Sequence, residues 1–130
     1  FLGWIDKQRI AELYKGLDLF VFPSRFDTFG NVILESFVYG MPAVAYDCKG
    51  PKDIIKHDEC GYLVKDIEQM SEHIVRYFSS EPKRMQMIQN ATARADEYQA
   101  EPIIQNFMLD MGLGEHRPRA DVETERRSAA

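Results

Sequence analysis

The chain has 130 residues, enough for one domain, and 45% of them are hydrophobic, enough to build a packed core. The 16 Lys and Arg against 21 Asp and Glu leave a net charge of −5, which argues against a nucleic-acid surface because such a surface needs a basic face. No apolar run approaches the ~18–20 residues of a membrane helix and no signal-peptide pattern is present, so a cytoplasmic protein is expected, with peripheral membrane association only within a longer protein.

In chain order, Phe1-Leu2-Gly3-Trp4 reads as a short strand with its exit turn. Asp6 can cap a helix running to about Lys15, with Ile10, Leu13 and Tyr14 at helical spacing and Gly16 at its end. Leu19-Phe20-Val21-Phe22 is short and continuously apolar, as a buried parallel strand is. Pro23 and Ser24 break it. Thr28 or Gly30 can then cap a helix with the body Asn31 to Tyr39, closed by Gly40 and kept from continuing by Pro42. Met41 to Tyr46 is the next strand and Gly61 to Val64 the last, with a short helix opened by Asp53-Ile54-Ile55 between them. Helices follow over Met70 to Phe78 (apolar at Ile74, Val75 and Phe78), from Pro82 (Met85, Met87, Ile88, Ala91, Ala95), and from Glu101-Pro102 to Leu113. In the last of these Ile103, Ile104, Phe107, Met108 and Met111 form a stripe that must be covered, by this chain's own sheet or by a second copy in a two-fold dimer. Residues 1–113 are therefore expected to form part of a Rossmann-like parallel α/β sheet with flanking helices, and 114–130, charged and without apolar periodicity, a disordered tail.

The chemistry centres on residues 23–35. Strand, loop and helix start follow in that order, and in open α/β sheets this rim at the carboxyl ends of the strands holds ligands. N–H groups from about Phe29 to Val32 lack intrahelical acceptors and suit a phosphate, while Gly30 lets the backbone come close. An ordinary capped helix is the plainer alternative. Asp27 precedes the turn and Glu35 stands roughly 7–8 Å along the helix axis, its side chain leaning back toward the N-terminus. A carboxylate beside a phosphate is repelled unless it grips something uncharged, and vicinal hydroxyls fit. A phosphate cradle between two hydroxyl-gripping acids describes a nucleotide sugar. The plainer readings are a surface glutamate at Glu35, a turn aspartate or an Arg25 ion pair at Asp27, and a strand-end hydroxyl at Ser24. His57, His73 and His116 show no metal spacing and read as solvated, so no metal and no other cofactor is expected. Cys48 and Cys60 read as reduced thiols, and the methionines at 85, 87, 108 and 111 as core or interface filler.

Residues Phe1 to about Phe78 resemble the retaining glycosyltransferases of GT-B fold, the large group that includes glycogen-synthase-like and mannosyltransferase enzymes. The resemblance rests on Phe1-x-Gly3, Leu19–Ser24, Asp27 and Glu35 separated by seven residues around Phe29-Gly30, Gly40-x-Pro42, Gly50 and Gly61. Asp27 departs from the pattern: most members carry Glu, one methylene longer. The resemblance implies the C-terminal, donor-binding domain of a longer enzyme that moves a sugar from a nucleotide-diphosphate donor without a metal ion. It implies Asp27 as the catalytic, sugar-orienting acid and Glu35 as the ribose ligand. It places Ser24, Thr28, Phe29, Gly30, Asn31, Val32 and Gly50 at the donor. The family's diphosphate-binding Arg and Lys, and the acceptor-binding N-terminal domain, would lie before Phe1, so this chain alone is expected to be inactive. A non-catalytic nucleotide- or partner-binding module is the alternative from another class. A phosphorylase or epimerase is a further enzyme alternative, although nothing in the sequence points to a pyridoxal phosphate lysine.

Overall fold

The computed structural model describes residues 2–26 and 31–112. Three strands, β1 (Phe20–Phe22), β2 (Ala43–Tyr46) and β3 (Gly61–Val64), form a parallel sheet in the order β1-β2-β3. Helices α1 (Lys7–Gly16), α2 (Asn31–Val38), α3 (Pro51–Ile54), α4 (Ile67–Ser79), α5 (Glu81–Asp96) and α6 (Pro102–Asp110) surround it. The expected α/β class, a Rossmann-like parallel sheet with flanking helices, holds.

Strand side chains alternate between two apolar layers, as the period of two demands. Ala43 and Ala45 face a cluster with Ile33, Leu34, Phe37 and Val38 of α2, Ile54 of α3, Ala91 and Ala95 of α5, and Ile104, Phe107 and Met108 of α6. Val44, Tyr46, Tyr62 and Val64 face the other way, onto Met70 and Tyr77 of α4 and Met87 of α5. The register pairs Ala43 with Gly61 and Val44 with Tyr62. A Cβ on Gly61 would lie 2.2 Å from the Ala43 carbonyl oxygen, so only glycine fits this crossing without moving a strand. Gly61→Ala should cost about 2–3 kcal/mol, since the obstacle is backbone and cannot rotate away. Chemical denaturation checks this; an unchanged midpoint would show that the strands shift freely.

The helix ends are made by local residue types. Asp6 accepts from the Arg9 N–H at 2.9 Å and Asp66 from that of Gln69 at 2.8 Å, each satisfying a donor the helix leaves open. Pro102 opens α6 as expected, whereas α3 begins at Pro51 and ends at Ile54 rather than opening at Asp53; proline suits a first helical position, where the missing N–H costs nothing. Gly40 ends α2 with φ +67°. Its N–H donates to the Phe37 carbonyl at 2.8 Å and that of Met41 to Ser36 at 2.9 Å, a Schellman closure that turns the chain directly into β2.

Four expectations need correction. Residues 2–4 are not a strand: Gly3 has φ +65°, Leu2 and Trp4 are exposed, and β1 pairs only with β2 among the described residues. An extended segment without a ladder partner has nothing to hold it. In α4 the buried side chains are Met70 and Tyr77, whereas Val75 and Phe78 face solvent; the helix starts earlier than its apolar pattern suggested, at the Asp66 cap. Among the methionines Met87 and Met108 are core, while Met85 is exposed. On α6, Ile104, Phe107 and Met108 are buried and Met111 is partly so, but Ile103 is 52% exposed. The stripe is 104-107-108-111, and Ile103, one residue round the helix, lies off it. Within this chain its cover is α2 and Tyr14, in the same cluster that Ala43 and Ala45 of β2 face. The expected tail at 114–130 lies outside the described residues.

Candidate functional site

The parallel arrangement sets the start of α2 after the carboxyl end of β1, on the rim where the loops after β2 and β3 also emerge. Asn31 and Val32, both half-buried, form the first turn of α2, where N–H groups have no intrahelical acceptor. Asp27, Thr28, Phe29 and Gly30 lie outside the described residues.

Glu35 stands on α2 between buried neighbours and is itself half-buried. The phenol of Tyr14, which reaches across from α1 and stacks on Tyr39 one turn further along, is set against its carboxylate. Burial pushes the Glu35 carboxyl above the usual carboxylate range, and the Tyr14 phenol pulls partly back by favouring the charged form. Burial, and then the neighbouring Glu35 charge, raise the Tyr14 phenol, so it stays a donor. A carboxylate offers about four acceptor sites. One phenol leaves room for both hydroxyls of a diol.

The Tyr14 ring is fixed in turn. It stacks on Tyr39 with centroids 5.3 Å apart and 11° between planes. Phe107 of α6 meets it edge-on at 6.4 Å and 89°. Sequence reasoning read Tyr14 only as an apolar helix position. The available signal was its hydroxyl, which needs a partner wherever a tyrosine is buried.

The remaining rim groups are largely engaged locally. Ser24 Oγ accepts from the Phe26 N–H at 3.3 Å, a turn bond that occupies the hydroxyl placed at the donor by resemblance. Gly50 has φ +98°, a conformation that favours glycine, and its N–H points to Asp53 Oδ2 at 3.4 Å. That N–H is taken by the cap of α3. Arg25, to which no role was assigned, bridges the rim: its guanidinium lies 3.8 Å from the Tyr46 ring centroid and Nη2 donates to the Lys65 carbonyl at 3.1 Å.

Away from the rim, the histidines are not simply solvated. His57 Nδ1 accepts from the Leu63 N–H at 3.0 Å, and His73 packs its ring 4.7 Å from that of Tyr62 and bonds the Gln69 carbonyl. They brace the start of β3 against α4; His116 lies outside the described residues. Cys48 and Cys60 are free thiols, and burial pushes the Cys60 thiol up. Among the described residues no group of three or more His, Cys, Asp or Glu is placed to hold a metal ion, and no helix is long and apolar enough to cross a membrane.

A parallel sheet clad with helices on both faces, with a half-buried acid near the start of the helix after β1, is a Rossmann-like arrangement. Comparison with known proteins makes this specific. Residues 1–94 match the glycosyl transferases group 1 family, and the chain belongs to that family. It is 33% identical over 93 residues to an uncharacterised glycosyltransferase of Methanocaldococcus jannaschii, covering 70% of this chain and 24% of the relative. It is 31% identical over 103 residues to the amylovoran biosynthesis glycosyltransferase AmsD of Erwinia amylovora, covering 77% of this chain and 29% of the relative. A GDP-mannose-dependent alpha-mannosyltransferase of Mycobacterium tuberculosis is 35% identical over 64 residues, 49% of this chain and 17% of that protein. The chain thus spans less than a third of the length of these curated relatives. Among solved structures, the C-terminal domain of the glycosyl transferase group 1 family protein LpcC from Francisella tularensis matches with a TM-score of 0.68 and 28% identity, over 75% of this chain and 51% of that one.

Proposed function

We propose that this chain supplies the nucleotide-sugar donor site of a retaining glycosyltransferase, acting within a longer protein. The observation that supports the reading best is the half-buried Glu35 carboxylate, held by Tyr14 near the start of α2 with acceptor sites to spare. In this reading Glu35 grips the ribose hydroxyls. The backbone N–H groups of Asn31 and Val32, with those of Phe29 and Gly30, hold the diphosphate or the sugar, and Asp27 orients the sugar hydroxyls. Breaking the bond between sugar and phosphate leaves a nucleoside diphosphate with new negative charge. Amides at a helix start stabilise that charge more in the transition state than in the bound donor, which is what accelerates the step.

The test is stereochemical. Full-length protein incubated with a panel of nucleotide sugars and simple acceptors should release nucleoside diphosphate and give a product with the donor's anomeric configuration, as read by proton NMR. A product of inverted configuration would contradict the retaining part of the reading. No transfer from any donor would contradict the enzyme itself and favour a binding module.

A further inference from the structure

We propose that Tyr14 is a positioning residue for the donor: the aromatic brace of Tyr14, Tyr39 and Phe107 fixes one phenol against Glu35, so that the carboxylate presents its free acceptor sites to the ribose in one orientation. The inference rests on the reading of Glu35 as the ribose ligand and goes beyond it, because it gives a role to a residue of α1 and, through Phe107, to α6.

Three helices meet at this point. Tyr14 comes from α1, Tyr39 from the end of α2 and Phe107 from α6, and each ring touches the other two: 5.3 Å between Tyr14 and Tyr39, 6.4 Å between Tyr14 and Phe107, and 6.3 Å between Tyr39 and Phe107. Offset-stacked and edge-on rings at these separations are favourable pairings that restrict rotation. The Lys7 ammonium also meets Asp110 at 3.0 Å, tying α1 to the end of α6 on the outside. Left alone, a glutamate side chain samples many rotamers, and the entropy of fixing it opposes ligand binding. A phenol locked by packing holds one lobe of the carboxylate before the ligand arrives. It also favours the charged form: Tyr14 is the hydrogen-bonding group set against Glu35, Phe107 brings no charge from α6, and the phenol opposes the upward push of burial, which is the larger effect.

The test measures UDP, GDP and ADP binding to the full-length protein across pH. Four proteins are compared: the parent, Tyr14→Phe, Glu35→Gln, and Tyr77→Phe, which removes a buried hydroxyl bonded to the Asp18 carbonyl 2.8 Å away rather than to Glu35. Tyr14→Phe keeps the ring and its packing. It should weaken binding of the preferred nucleotide by about 3- to 10-fold, the range for one ordinary hydrogen bond, since the bond lost is within the protein and not to the ligand. It should also move the low-pH loss of binding to higher pH, because Glu35 then protonates more easily. Tyr77→Phe should do neither. If Glu35→Gln weakens binding while Tyr14→Phe matches the parent in affinity and pH profile, the positioning role is overturned and the ribose site stands. If Tyr14→Phe and Tyr77→Phe weaken binding equally without moving the pH profile, the effect is general loosening and the proposal is likewise overturned. If Glu35→Gln binds as the parent does, or no nucleotide binds the parent, the donor-site reading fails and this inference with it.

Discussion

Phe107→Asp should unfold the chain or detach α6 from it. Phe107 is 8% exposed and touches both Tyr14 and Tyr39, and it lies between Ile104 and Met108, which are also buried. Truncating such a phenylalanine costs about 3–5 kcal/mol through lost burial and the cavity left behind. A carboxylate in its place adds the penalty of a buried charge. The total is comparable with the whole stability of an ordinary domain, about 5–15 kcal/mol. Ile103→Asp is the matched control: the same helix and the same charge, but a side chain 52% exposed, for which a change within about 0.5 kcal/mol is expected. Urea denaturation followed by circular dichroism separates the two. Equal midpoints for Phe107→Asp and the parent would show that α6 contributes nothing to the core.

Local signals carried much of this fold. The alternation of short apolar runs with capped helices gave the parallel α/β class, and the Asp6 and Gly40 ends fell where the residue types required. Gly61 was singled out by resemblance alone; its reason, the 2.2 Å approach to Ala43, appears only when β2 and β3 are side by side. What the sequence hid was non-local. The partner of Glu35 sits 21 positions earlier, on another helix, and no periodicity in either segment links them. The cover of α6 proved to be α2 and a tyrosine from α1, because a helical stripe states that it must be buried but not against what. Val75 and Phe78 misled for a simpler reason. Apolar residues three apart look like a face, yet Met70 and Tyr77, seven apart, are the face that the sheet covers. At the site, resemblance assigned Ser24 and Gly50 to the donor, and the structure shows the hydroxyl of one and the N–H of the other engaged in local turns.

The central claim is that Glu35 holds a ribose diol, and a double-mutant cycle between protein and ligand tests it most directly. Calorimetry would measure the preferred nucleoside diphosphate and its 2′,3′-dideoxy analogue against full-length parent and Glu35→Ala, at a pH well above the raised Glu35 pKa so that the parent carboxylate is charged. The charged carboxylate bonded to two hydroxyls is worth about 2–3 kcal/mol, so the parent should prefer the ribose ligand by about 30- to 150-fold. Glu35→Ala should lose most of that preference while binding the dideoxy ligand nearly as the parent does, because the cycle isolates the contact itself. A Glu35→Ala protein that still discriminates between the two ligands as strongly as the parent would place the ribose elsewhere and contradict the account.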